Sequence, residues 1–403
     1  MSAVLKPRLA ALGGTPAFPR ALHVGTPNLG DQARFLSRMA QILERRCLTN
    51  AGPLVAEFEE RLADFLGVKH CVAMSNATVA LEIATQSLGF CDEVITPSMT
   101  FVATAHALQW QQITPIFGDI APGTHHLDPG QIARLATPRT TGILAVNLWG
   151  RACDLDGIAR IAAARGLPVV YDSSHAFGCS YRGTMIGSFG EAEVFSFHAT
   201  KFINSFEGGA VATNRDDLAE KLRLMKNFGF AGRDRVDHVG INGKMSEAHA
   251  AMGLTNLESI HEFIAHNRDN YHAYRAGLRG VPGIRLVEYD ESERCNFQYI
   301  VIEVDAGSGL TRDELLSVLE AENVDARRYF YPGCHRMEPY RSYFPNAGML
   351  LPNTESALER VLALPTGTAL RLEQAQRIAE LVRLAVEAAP AVRLRTRASQ
   401  RDR

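Results

Sequence analysis

The sequence predicts an α/β protein with a mostly parallel central sheet flanked by helices, followed by a smaller C-terminal α+β domain. Three observations carry this. Short apolar runs alternate with helical periods through about residue 255. Those runs are apolar throughout rather than alternating, as expected of strands buried on both faces. Beyond about residue 256 the alternation stops, and a long helical period gives way to a strand with in-and-out patterning. At 403 residues, 46% of them hydrophobic, the chain has material for two cores.

In order, residues 1–50 read as an N-terminal arm, punctuated by Pro and Gly and then helical over 30–46. An amphipathic helix follows over 55–66. His70-Cys71-Val72-Ala73-Met74 is strand-like, and Asn76 opens a helix. Residues 92–97 form a strand, 101–111 a helix, and 114–119 another strand. The apolar runs 142–147 and 168–172 are strands, with a helix over 155–165 between them. These elements make up a large domain, 51–255. The smaller domain, 256–390, holds a long helix through Ile260, Phe263, Tyr271 and Leu278 and a strand over 297–304. A helix over 311–322, a short segment 324–328 and a last helix over 372–388 complete it. The Arg-rich stretch 391–403 has no apolar period and is expected to be a disordered tail.

Bulk properties exclude several classes. The formal net charge is -2 with acids and bases interspersed, which argues against a nucleic-acid binder. No apolar run approaches the roughly 18 residues of a membrane span. The first 20 residues carry no signal-peptide pattern, so a cytoplasmic protein is expected. Seven scattered cysteines without a CxxC pair read as free thiols, and the thirteen histidines lack zinc-ligand spacing, so no metal site is expected.

In open parallel sheets, ligands bind beyond the carboxyl ends of the strands. Chemistry-bearing residues fall at those ends here. Val169-Val170-Tyr171-Asp172-Ser173-Ser174-His175 places an acid at the tip of a strand. Val194-Phe195-Ser196-Phe197-His198-Ala199-Thr200-Lys201 precedes Glu207-Gly208-Gly209, whose glycines let backbone approach a planar ligand. A lysine to hold an aldehyde and a carboxylate to keep a pyridine nitrogen protonated are what pyridoxal phosphate requires. Lys201 is thus the candidate Schiff-base lysine and Asp172 the candidate ring-nitrogen partner. His175 is a candidate for the ring's phenolic oxygen. Ala77 and Thr78, where a strand gives way to a helix, and the hydroxyl of Ser196 suit a phosphate. Phe101 is placed to stack on the ring. Taken singly each has a plainer reading: a helix cap for Asp172, Thr78 or Ser196, core packing for Phe101 and His175, surface for Lys201.

Six markers in fixed order carry a family resemblance. They are Thr49-Asn50-Ala51-Gly52-Pro53, Ser75-Asn76-Ala77-Thr78, Pro97 to Thr104, Tyr171 to Ala176, Ser196 to Gly209, and Gly240-Ile241-Asn242-Gly243-Lys244-Met245-Ser246-Glu247. From about residue 48 to 370 the chain resembles the sugar-nucleotide aminotransferases of the DegT/DnrJ type. The resemblance implies the fold-type I architecture of aspartate aminotransferase and the cofactor roles just given. It also implies a homodimer in which Asn242 reaches the phosphate of the neighbouring subunit. Two segments depart from the family pattern: Asn147 and Trp149 stand where a histidine is usual, and Asn242-Gly243-Lys244-Met245 replaces Asn-Tyr-Arg-Met. Both are expected near the substrate pocket. The His198-Ala199-Thr200-Lys201 and Asn242-Gly243-Lys244-Met245 variants look most like the branch that aminates C4 of a dTDP-4-keto-6-deoxyhexose, and L-glutamate is the usual donor in the family.

For the nucleotide diphosphate, Arg233, Lys244, Arg327 and Arg328 are the candidate cations, and Tyr331 and His335 candidate lining residues. Rival readings are a 3-aminotransferase of a keto-sugar nucleotide, a cyclitol aminotransferase, a dehydratase and a non-catalytic cofactor-binding regulator. A histidine at the lysine position would mark the dehydratase, and Lys201 argues against it.

Overall fold

The computed structural model describes residues 8–401, with side chains through 395. Seven strands form the central sheet: β1 (His70–Met74), β2 (Glu93–Pro97), β3 (Thr114–Gly118), β4 (Thr140–Val146), β5 (Val169–Asp172), β6 (Ala192–Ser196) and β7 (Gly209–Thr213). Their spatial order is β1-β7-β6-β5-β4-β2-β3. β3, β2, β4, β5 and β6 run parallel, and β7 is antiparallel to both β6 and β1. β2, β6 and β7 are buried along their whole length, as strands covered on both faces are, with Glu93 and Glu193 buried among their apolar residues.

Helices cover both faces. One face carries α2 (Pro53–Leu66) through Leu54, Val55, Phe58, Leu62 and Leu66, together with α5 (Pro129–Leu135) and α6 (Leu155–Arg165). The other carries α3 (Ala77–Ser87), α4 (Val102–Gln109) and α7 (Asp216–Met225). Helix starts follow local chemistry. Asp31 caps α1 (Gln32–Arg45) by accepting from the Arg34 N–H, and Asn76 caps α3 by accepting from Val79. The long helical period after 247 breaks at Ser259 into α8 (Glu247–Glu258) and α9 (Ile260–Leu278).

The smaller domain is a three-stranded antiparallel sheet, β8 (Ile284–Leu286), β9 (Ile300–Val304) and β10 (Val361–Leu364). Its core is shared with α9, α10 (Arg312–Ala321) and α11 (Leu372–Glu387). Two expectations change here. The described part of the N-terminal arm is not a free arm: Leu9 and Phe18 are buried in the small-domain core, and Leu22–His23 pairs in parallel with Val324–Asp325. Nor is 391–401 a coil: a helix runs Ala389–Arg401, with Ala389 and Val392 inserted into the same core. Two buried apolar residues one turn apart are too sparse a period to read in an Arg-rich stretch, yet they dock its first turn.

Candidate active site

The strands β5 and β6 and the starts of α3 and α4 converge on one cavity of about 660 Å³ at the carboxyl end of the parallel strands. Its wall includes Ala77, Thr78, Phe101, Asp172, His175, Ser196 and Lys201, which lie up to 124 residues apart in sequence, from 77 to 201.

Asp172 ends β5, is buried, and accepts a hydrogen bond from Thr104 Oγ1 at 2.8 Å and one from the Ser174 N–H at 3.2 Å. Lys201 stands in the turn after β6. Burial lowers its ammonium to about 8, an effect the nearby Asp172 carboxylate partly offsets. A buried amine so depressed is partly neutral near pH 8 and therefore nucleophilic. His175 is held well below its ordinary value by burial and by Lys201, so its ring is neutral. Its Nδ1 accepts from the Trp149 backbone N–H at 3.4 Å, which leaves Nε2 as the protonated nitrogen. Tyr299 stacks on it, with ring centroids 4.1 Å apart.

These residues fit pyridoxal phosphate. The first amides of a helix lack partners within it. The Val79 N–H goes to Asn76 Oδ1 at 2.9 Å, which leaves those of Ala77 and Thr78 for an anion at the wall of the cavity. Backbone packs tightly there: a Cβ on Gly209 would lie 2.6 Å from the Ala77 nitrogen. Phe101 is 56% exposed although it lines the cavity, a bare aromatic face of the kind that a planar ring covers. Asp172 would supply the carboxylate for a ring nitrogen, His175 Nε2 a donor for a ring oxygen, and Lys201 the amine.

The remaining predicted residues lie elsewhere. Arg233 is at the tip of an exposed hairpin, Phe230–Gly232 paired with Arg235–Val236. Asn242 is exposed and bridged through its backbone to Asn227, and the Lys244 ammonium sits 4.6 Å over the Phe228 ring. None of these three lines the cavity of its own chain. Tyr331 lines an adjoining cleft with Arg327 and Arg328, and the guanidinium groups of Arg312 and Arg328 each lie 5.0 Å from its ring centroid. His335 is not a lining residue. It is buried, with Nδ1 at 2.6 Å from Ser98 Oγ and Nε2 at 2.5 Å from Glu355 Oε1, because the turn Cys334–Arg336 aims it inward at the loop after β2.

Asn147 and Trp149 also lie off the pocket. Val146 and Leu148 face the cavity, and the alternating backbone sends their neighbours the other way. Asn147 donates to Ser173 Oγ at 2.9 Å and accepts from the Cys153 N–H at 2.9 Å. Sequence reasoning missed Thr104, although it ends a marker segment, and the small-domain wall formed by Gln298, Tyr299, Tyr329, Phe330 and Thr366. The hydroxyls of Tyr299 and Thr366 are buried there without a hydrogen-bond partner.

Comparison with known proteins agrees with this geometry. The profile described as the DegT/DnrJ/EryC1/StrS aminotransferase family matches residues 30–383. The chain is 36% identical to a dTDP-4-amino-4,6-dideoxy-D-glucose transaminase of Escherichia coli over 90% of this chain and 98% of that protein. It is 35% identical to a GDP-perosamine synthase of Caulobacter vibrioides over 79% of this chain and 86% of that one. Among solved structures, DesI in the presence of its TDP-sugar product superposes with a TM-score of 0.90 at 46% identity, covering 98% of this chain and 99% of that one.

Proposed function

This chain belongs to the DegT/DnrJ/EryC1/StrS aminotransferase family, whose enzymes use pyridoxal phosphate, and we propose that it aminates C4 of a dTDP-4-keto-6-deoxyhexose with L-glutamate as donor. The observation that carries the reading is the meeting of Lys201, Asp172 and the α3 N-terminus in one cavity. The named activity of the 36% identical relative and the TDP-sugar product of the DesI structure support the substrate class.

The cofactor, when bound, supplies an electron sink that makes the carbon next to an amine acidic. Asp172 would lie beside the ring nitrogen, held in place by Thr104. His175 presents a proton at Nε2, and the amides of Ala77 and Thr78 with Ser196 hold the phosphate. Lys201 would hold the cofactor, and its amine would move the proton at the carbon bearing the amine, which a depressed lysine can both take and return near neutral pH. Donor and acceptor use the same cavity in turn, so the kinetics are ping-pong.

The exposed apolar residues Phe228, Phe230, Val236, Val239 and Ile241 lie on one segment beside Asn242. They support a homodimer in which Asn242, Lys244 and Arg233 reach the partner's cavity. The exposed segment predicts a dimer mass in sedimentation.

A half-reaction screen tests the function. The amine form of the cofactor is loaded, keto-sugar nucleotides are added, and the return of the aldehyde spectrum is followed. The dTDP-4-keto-6-deoxy sugar should restore it fastest. Preference for a GDP-linked sugar, a 3-keto sugar or a keto-inositol would overturn the substrate assignment.

A further inference from the structure

Trp149 stands behind the cavity wall rather than in it. Its ring stacks on Phe330, centroids 5.3 Å apart and 9° from parallel, and lies 5.5 Å from His175. Phe330 and His175 both line the cavity. The residue adopts φ +61°, a left-handed conformation that a bulky side chain holds only when its surroundings impose it.

The surroundings that impose it form a chain of hydrogen bonds with one direction. The indole N–H is a donor only, and it meets His125 Nδ1 at 2.9 Å. That nitrogen is therefore the acceptor, and the neutral ring carries its proton on Nε2. His125 Nε2 lies 2.9 Å from Glu303 Oε1. Glu303 sits on β9 of the small domain and is itself paired with Arg285 and Arg360, the latter at 3.4 Å. All of His125, Trp149 and Glu303 are buried. The backbone N–H of the same Trp149 is the donor to His175 Nδ1.

We propose that His125 is a positioning residue that acts through Trp149: it relays the fixed Glu303 carboxylate to the indole, and the anchored indole fixes both the Trp149 backbone N–H that sets the tautomer of His175 and the place of Phe330. His125 is not among the residues that line the cavity. Its effect is to keep the His175 proton on Nε2, on the nitrogen free to meet the cofactor's ring oxygen. The effect on His175 rests on the transaminase reading of the cavity; the relay itself does not.

Two measurements on the full chain separate these. The protein has two tryptophans, and Trp110 is exposed, so Trp110→Phe leaves Trp149 as the single indole. In cofactor-free protein labelled at tryptophan, the indole N–H resonance should lie downfield and lose that shift in His125→Phe. An unmoved resonance overturns the relay whatever the enzyme does. In holoenzyme, His125→Phe and Trp149→Phe, the latter keeping the stack but not the donor, should each lower kcat roughly 10-fold, the scale of lost orienting partners. KM should change far less. The pH midpoint of the bound cofactor's visible absorbance should rise by about 1 unit, a tenfold change in proton affinity. The double variant should be no worse than either single one, since both cut the same chain. Multiplying losses, or an absorbance midpoint that stays in place, would overturn the proposal.

Discussion

Lys201 and Asp172 divide the work of the site by environment. Burial makes the lysine a poorer base, while two hydrogen bonds hold the carboxylate in place. Capture of pyridoxal phosphate by cofactor-free protein should therefore quicken with rising pH through about 8. A midpoint near the ordinary lysine value of 10.5 would contradict the burial of the amine. Thr104→Val removes a hydrogen bond to a charged group, a loss of roughly 1.5–3 kcal/mol, and should lower kcat by about 10–100-fold in steady-state assays. Beneath Asp172 lies a second carboxylate with another task. Glu193 accepts from Ser173, from Asn147 and from the N–H groups of Gly187 and Phe189, yet burial pushes it up to about 7 from 4.5. In the unfolded chain it ionises near 4.5, so the folded state binds more protons between about 4.5 and 7, and stability falls as pH rises across that window. Glu193→Gln should flatten this slope, by roughly 3 kcal/mol between the ends of the window. Urea unfolding of both proteins at a series of pH values checks it, and parallel curves would refute it.

At the scale of elements, the site depends on how closely β7 approaches the start of α3. A Cβ at position 209 would meet the Asn76 and Ala77 backbone at 2.6 Å, and backbone cannot yield as a flexible side chain can. Gly209→Ala should displace the Ala77 and Thr78 amides and weaken retention of the cofactor by about 10-fold, roughly the effect of one misplaced hydrogen bond to a charge. Equilibrium dialysis reads this directly, and unchanged retention would contradict the phosphate site. Such contacts also show what was legible in the sequence. Strand ends and the helix opened by Asn76 could be read from apolar runs and caps, and with them Lys201, Asp172, Phe101 and the phosphate residues. The orientation of a residue within a loop could not. Asn147 and Trp149 share a segment with Val146 and Leu148, and only the backbone path decides which pair faces the cavity. His335 reads as a cleft residue until the turn Cys334–Arg336 is seen to aim it at Ser98. The small-domain wall escaped notice because Tyr299 and Phe330 are brought to His175 by tertiary packing, with no motif of their own.

For the whole molecule, the first and last of the described segments meet in one core. The segment containing Leu9 and Phe18 and the helix Ala389–Arg401 both pack into the small-domain core, across more than 300 residues of sequence. Ala10 and Ala17 donate backbone N–H bonds at 2.7 Å to the two oxygens of Glu322. Both domains then contribute to one cavity, the large one through Lys201, Asp172 and the α3 N-terminus, the small one through Gln298, Tyr299 and Phe330. Every functional conclusion follows from the ε-amine at the centre of that cavity. Borohydride reduction of the holoenzyme, followed by digestion and mass spectrometry, tests it most directly. The pyridoxyl tag should appear on the peptide that contains Lys201 and vanish, with turnover, in Lys201→Ala. A tag on any other lysine, or a Lys201→Ala enzyme that turns over at the wild-type rate, would contradict the account.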